Sequence, residues 1–220
     1  MRITILTLFP DMMRGILDTS IVGKAQKKGA VTIDYVDIRA FAVDAYGSVD
    51  DRPFGGGAGM ILRVDVLHKA LQSVMTPESH VILTSAGGRL FSQKVAKEYA
   101  TTKSHLIIIC GHYEGVDARI LKHVHEEISI GEYVLTGGEL PAAVITDAVT
   151  RLLPGVFAKE GVTENETYSK YAKEPPAYTR PQEYEGQSVP EILLSGDHKK
   201  IEEWKEQHAT NSQSTVRNAK

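Results

Sequence analysis

Leu106-Ile-Ile-Ile-Cys110-Gly-His-Tyr-Glu-Gly-Val-Asp117 decides how this chain is read. It opens with a short, unbroken apolar run, which predicts a strand covered on both faces, as in a parallel sheet with helices on either side. The run breaks into glycine at Gly111, and open α/β sheets bind their ligands just beyond the carboxyl ends of their strands. Ile128-Ser-Ile-Gly-Glu-Tyr-Val-Leu-Thr-Gly-Gly-Glu-Leu-Pro141 follows shortly after. Glycines at 111, 115, 131, 137 and 138 let main-chain amides come close to a small molecule, although the same residues serve equally well in plain tight turns.

Working outward, residues 3–8 predict a strand that ends at Phe9-Pro10. Residues 11–17 and 20–28 predict two short helices, the second stopped by Gly29, and residues 31–38 alternate as a further strand. Strand, helix, strand implies a parallel sheet with crossover helices. Residues 64–74 carry the helical stripe Val64, Leu67, Leu71 and Val74, with His68 read as a partly buried or solvated side chain rather than a ligand. Residues 80–85 predict a strand ending in Ala86-Gly87-Gly88-Arg89, and Ser92 is placed to cap a helix running through Tyr99. Two glycine-bearing strand ends at one edge of a sheet make a cleft.

Three other segments stand out. Residues 50–60, Asp-Asp-Arg-Pro-Phe-Gly-Gly-Gly-Ala-Gly-Met, predict a mobile loop. It lacks the lysine of a nucleotide triphosphate loop, and its flanking charges read as a lid over a substrate as readily as a linker. Residues 140–153 are apolar nearly all round, which predicts burial on more than one face and, in a chain of this size, a subunit interface. Residues 158–176 turn polar and charged and end in Pro175-Pro176, an interdomain linker. Beyond it Asp197 is placed to cap a helix with Ile201 and Trp204 on one face and His208 in line. The expected architecture is α/β, with a mostly parallel sheet, flanking helices and a small helical C-terminal domain.

Composition narrows the function classes. The chain has 28 acidic against 25 basic residues, so any nucleic-acid partner must be held by a local patch or a groove between subunits. The single cysteine, Cys110, excludes an intrachain disulfide and points to a reducing cytoplasm. The apolar start is too short to span a membrane, and no targeting segment is evident. His123-Val-His125-Glu126-Glu127 alternates candidate metal ligands, but no cysteine lies nearby and no metal site is expected. The dinucleotide fingerprint is absent, because the first strand runs into Phe9-Pro10.

The order of motifs carries further. G-H-Y-E-G-V-D and S-I-G-E-Y-V-L-T-G-G-E-L-P occur with L-F-P-D-M at residues 8–12, D-D-R-P-F-G-G-G-A-G-M at 50–60, G-R-L-F-S-Q at 88–93, R-L-L-P-G-V at 151–156, and Y-T-R-P with V-P-E-I-L-L-S-G-D-H near the C-terminus. Together these blocks resemble the bacterial tRNA (guanine-N1)-methyltransferase family, TrmD, of the knotted SPOUT superfamily. The resemblance implies a deep trefoil knot (SPOUT type), a homodimer, and S-adenosyl-L-methionine as methyl donor. It places the knotted donor-binding domain at residues 1–157, the linker at 158–176 and a shortened tRNA-binding domain at 177–220. The donor is expected at Thr84, Ser85, Ala86, Gly111, Tyr113, Glu114, Ile130, Gly131, Glu132, Tyr133, Val134, Leu135, Gly137 and Gly138. Glu114 and Glu132 there either face the sulfonium or cap turns. The family usually continues into a basic C-terminal segment, so the RNA-gripping part is expected to be reduced.

The resemblance also implies methyl transfer to N1 of the guanine at position 37, just 3′ of the tRNA anticodon. That reaction removes a weakly acidic proton while negative charge moves toward O6, so it needs a base and a cation. Arg151 matches the family's catalytic arginine. Glu166 aligns with its general base, an aspartate, and is one methylene longer. Asp50, Arg52 and Gly59 fall where the family's loop holds the target guanine. A divalent ion is a further cofactor the sequence leaves open. The competing class is a noncatalytic RNA-binding or assembly protein that keeps the fold, favoured by the Glu166 replacement and the shortened tail.

Overall fold

The computed structural model describes residues 1–159 and 161–210. The chain divides into two compact units, Met1–Ala158 and the residues from Lys159 onward. The first is a five-stranded sheet in the order β2-β1-β6-β5-β7, formed by β1 (Arg2–Thr7), β2 (Thr32–Asp37), β5 (Ser79–Leu90), β6 (His105–Cys110) and β7 (Glu126–Ser129). All pairings in it are parallel. The run that opened the sequence is the central strand, and each of its six residues is buried.

Helices cover both faces. One core joins the sheet to α1 (Pro10–Leu17), α2 (Ser20–Lys27), α4 (Gln93–Thr102) and α5 (Glu139–Thr150) through Met13, Leu17, Val22, Ala96, Tyr99, Ile145 and Val149. The other joins it to α3 (Val64–Gln72) through Val66, Leu67, Ala70 and Leu71. The buried stripe of α3 thus includes Val66 and Ala70, while Val64 is half-buried at its edge. Proline opens α1, where its missing amide costs nothing. The Ser92 side chain accepts from the Val95 amide at the start of α4, as its placement predicted. His68 stacks on His123 with ring centroids 4.0 Å apart.

Three expectations are revised. The strand at residue 80 does not end at its glycines. Thr84 and Arg89 both pair with Ile128, so Ser85 to Gly88 bulge out of the ladder and β5 resumes beyond them. Gly88 allows this, because a Cβ there would lie 2.5 Å from the Glu127 main chain. Residues 50–62 form a hairpin, with β3 (Asp50–Asp51) and β4 (Ile61–Leu62) paired antiparallel around the glycine loop. α5 is buried mostly by its own chain, packing on α1, α2, α4 and the sheet, which leaves Leu140 and Val144 as its exposed large apolar residues.

The second unit holds the hairpin β8 (Glu183–Tyr184) and β9 (Gln187–Ser188), then α6 (Glu191–Leu194) and α7 (His198–His208). Residues expected as a linker belong to this unit: Ala172 N donates to Thr210 O at 2.8 Å, and Tyr171 is buried. Asp197 caps α7 by accepting from the Lys200 amide, and Trp204 stacks on His208 at 4.1 Å. Residues 211–220 of the domain expected at 177–220 lie outside the described residues.

Candidate active site

Thr84 of β5 is in register with Cys110 of β6, so the two chains leave the sheet side by side. The segment after β7 closes over them. Gly138 N donates to Gly111 O at 2.7 Å, and His112 bridges antiparallel to Gly137. A Cβ on Gly138 would overlap Thr84 Oγ1 and come within 2.7 Å of Gly111 N, so glycine is the residue that fits. The result is a cleft of about 400 Å³ walled by residues 83–87, 111–116, 127–131 and 133–138, with Ala118, Leu121 and Pro141.

Nearly all the residues expected at the donor stand in that wall: Thr84, Ser85, Ala86, Gly111, Tyr113, Glu114, Ile130, Gly131, Tyr133, Val134, Leu135, Gly137 and Gly138. Glu132 does not. It is exposed and outside the lining, which leaves Glu114 as the one of the two expected acids in the wall, where Glu127 also stands. The Tyr133 ring folds over Gly131, filling the place a Cβ would take. Burial, reinforced by the nearby Glu139 carboxylate, pushes the Cys110 thiol well above its ordinary range, so it stays an inert thiol.

Sequence reasoning missed several wall residues. Ala118 and Leu121 come from a 3₁₀ segment, Ala118–His123, whose apolar spacing is too short to signal, and Val116 precedes it in a bridge to Leu62. His112 was passed over inside its motif. Its Nδ1 is buried without a hydrogen-bond partner.

The glycine hairpin reaches this wall from the side. Glu114 N donates to Met60 O and Leu62 N to Gly115 O, both at 3.0 Å, and a Cβ on Gly59 would strike the Glu114 side chain. Gly59 is therefore packed on the cleft, whereas Asp50 and Arg52 lie at the base of the hairpin and outside the lining. The exposed Phe54 marks the turn of the loop. Arg151 is remote from the cleft within one chain. It caps the C-terminus of α5, whose first turn leaves the cleft at Gly138, and the helix's 12 residues put about 18 Å between its ends. Its guanidinium lies over the Phe157 ring, 5.6 Å from the centroid. Glu166 is half-buried in the second unit, where its carbonyl accepts from Ser169 and Lys170 amides and the adjacent Thr167 pairs with Glu174.

Two of the candidate metal ligands, His125 and Glu126, are otherwise engaged. Glu126 accepts from Tyr99 Oη at 2.7 Å and from Arg89 at 3.0 Å, and lies 2.9 Å from His80 Nε2. His125 Nδ1 accepts from the Val81 amide. No group of three or more metal-ligating side chains is found among the described residues.

Comparison with known proteins agrees with the motif order. Residues 1–219 match the family model described as tRNA (Guanine-1)-methyltransferase TrmD. The tRNA (guanine-N(1)-)-methyltransferase of Carboxydothermus hydrogenoformans is 51% identical over 210 residues, covering 95% of this chain and 83% of the relative. That of Dictyoglomus turgidum is 48% identical over 95% of this chain and 85% of its own length. A more distant relative, from Mycoplasma mycoides, is 42% identical over 94% and 86%. With the cleft standing where the motifs put it and the likeness running the length of the chain, this protein belongs to the tRNA (guanine-N1)-methyltransferase family, TrmD.

Proposed function

We propose that the cleft at the ends of β5 and β6 takes S-adenosyl-L-methionine and that the protein methylates N1 of guanine 37 in tRNA. Family membership carries the class of reaction, tRNA guanine-N1 methylation. The observation that carries the donor is the cleft itself. About 400 Å³ is within the roughly 300–1,000 Å³ of small-molecule sites. Its floor is main chain that Gly138 lets close against Thr84 and Gly111, which suits a flat heterocycle recognised by backbone groups. The donor would supply an electrophilic methyl group. Of the two acids in the wall, Glu114 and Glu127, we assign Glu114 to face its positive sulfonium. The ties from Gly138 to Gly111 and from His112 to Gly137 support a threaded, knotted crossing of these segments.

Chemistry at the guanine falls to groups outside that floor. Glu166 takes the N1 proton and Arg151 stabilises charge on O6, and Asp50, Arg52 and Gly59 in the hairpin hold the base. Because Arg151 is a helix length from the cleft in its own chain, a second copy is the natural supplier of the missing groups. Exposed Met12 and Ile16 on α1 and Phe9 at its start, with Leu140 and Val144 on the adjoining α5, offer an apolar face for such a homodimer. Residues 1–157 would then bind the donor, 158–176 carry the base and 177–220 grip tRNA, in the cytoplasm. No described helix is long and apolar enough to cross a membrane. The noncatalytic alternative is not favoured, since the relatives it would stand among are named as methyltransferases.

Labelled-methyl transfer to unmodified tRNA tests the reading. Glu166→Gln is expected to lower the rate by about a hundredfold or more, the usual worth of a general base, with donor affinity unchanged. Glu166→Asp should keep appreciable activity. A wild-type rate in Glu166→Gln moves the base elsewhere, with Glu164 the first residue to try.

A further inference from the structure

Glu139, the first residue of α5, is 3% exposed. A carboxylate so placed is costly unless it is paired. One oxygen, Oε1, accepts from Thr7 Oγ1 at 2.8 Å, and that hydroxyl in turn accepts from the Phe9 amide at 2.9 Å. The other, Oε2, lies 3.6 Å from His112 Nδ1. That nitrogen is itself buried with no hydrogen-bond partner. The carboxylate oxygen left over from the Thr7 bond and a nitrogen with no partner therefore face one another just beyond bonding distance. The space between them is the space Gly137 leaves, since a Cβ there would lie 2.5 Å from both Oε2 and Nδ1. Among the described residues, the ring neighbours of His112 are Phe9 and Tyr113, with centroids 5.1 and 5.0 Å away.

We propose that Glu139 and His112 are a positioning pair for the donor: when the cleft fills, Nδ1–H donates to Oε2, and this bond fixes the two lengths of main chain that form the cleft floor. His112 belongs to the segment after β6, and Glu139 directly follows the segment after β7. Those two segments are otherwise tied by backbone bonds at Gly111 and Gly138 and by the bridge at Gly137. A bond across Gly137 therefore sets how closely they approach, and with it the width of the floor. Neither side chain touches the reacting atoms. The assignment rests on the donor reading of the cleft and adds to it the residues that set its geometry.

The test uses the full-length protein and S-adenosyl-L-methionine itself, titrated by calorimetry, with thermal unfolding measured in parallel. Wild-type binding comes first; no binding overturns the donor reading and this pair with it. Given binding, Glu139→Gln keeps an acceptor for Thr7 but loses the charge, and is expected to weaken the donor about ten- to hundredfold, the worth of a hydrogen bond to a charged group. His112→Ala should weaken it comparably, and the double variant should be no weaker than the poorer single one. His112→Asn, whose amide N–H can stand in for Nδ1–H, should recover most of the affinity. Because the His112 side chain is 21% exposed in the wall, its variants keep the question answerable if Glu139→Gln fails to fold. Wild-type affinity in His112→Ala, additive losses in the double variant, or an Asn variant no better than Ala would each overturn the pair while leaving the donor site standing.

Discussion

His105 is buried where three strands meet, with Nε2 2.9 Å from Thr4 Oγ1 of β1 and Nδ1 2.9 Å from Ser79 Oγ of β5. Burial, aided by the charge of Arg2, holds its imidazole below the ordinary histidine range. His80 and His68 shift the same way, again through burial first. The unfolded chain therefore takes up protons at about pH 6.5, before the fold does. Stability is present above that pH and lost as the pH falls toward the folded values. Urea unfolding should show wild type losing more stability between pH 8 and pH 5.5 than His105→Gln, which starts lower by about 1–3 kcal/mol at pH 8 through its broken buried bonds. Equal slopes in the two proteins would assign the pH dependence to other groups. Nothing in the sequence announced this residue: a histidine beside an apolar strand is uninformative until Thr4 and Ser79 are seen on either side of it. Gly138 shows a similar limit. Its dipeptide was visible, whereas the reason for it, the Thr84 hydroxyl, is fifty-odd residues away.

Elements whose signal is local were legible: the apolar run of β6, proline at the head of α1, and the Ser92 and Asp197 caps all stand where the sequence puts them. What failed depended on neighbours. β5 continues past its glycines because β7 offers Ile128 to Thr84 and again to Arg89, and no pattern within residues 80–90 encodes a partner. The all-round apolarity of α5 was rightly read as burial, but packing by α1, α2 and α4 within one chain accounts for most of it. The hairpin around the glycine loop is a further case. Its two-residue strands are too short to read, yet they fix where Gly59 lands, with φ at +88° and Glu114 against it. Gly59→Val meets both obstacles and is expected to lower kcat/KM for tRNA methylation by about tenfold or more, with the melting temperature nearly unchanged because the loop adds little to either core. Gly55→Ala, in open space at the turn, carries only the backbone cost and should lose less. Similar losses in both variants would remove the contact with Glu114 as the cause.

At the scale of the molecule, the proposed sharing of one site between two copies makes a quantitative prediction. On that proposal Gly138→Val removes the donor floor and Glu166→Gln the base, so each alone should keep about a hundredth of the wild-type rate or less. In a mixed dimer one of the two sites regains an intact floor facing an intact base. Co-refolding the two in equal amounts makes about half the dimers mixed, so about a quarter of wild-type activity should return. No recovery, with mixed dimers verified, would mean that floor and base come from the same chain. The sheet order carries a consequence of another kind. β1 is sandwiched between β2 and β6, and its pairing with β6 joins Arg2 to His105. At about 5–20 residues per second, a ribosome needs on the order of 5–20 s to deliver that partner. For this interval Ile3, Ile5 and Leu6 have one flank open, so the nascent chain carries an unpaired apolar edge. Translation speed across residues 40–105 thus becomes a determinant of how much protein survives to fold.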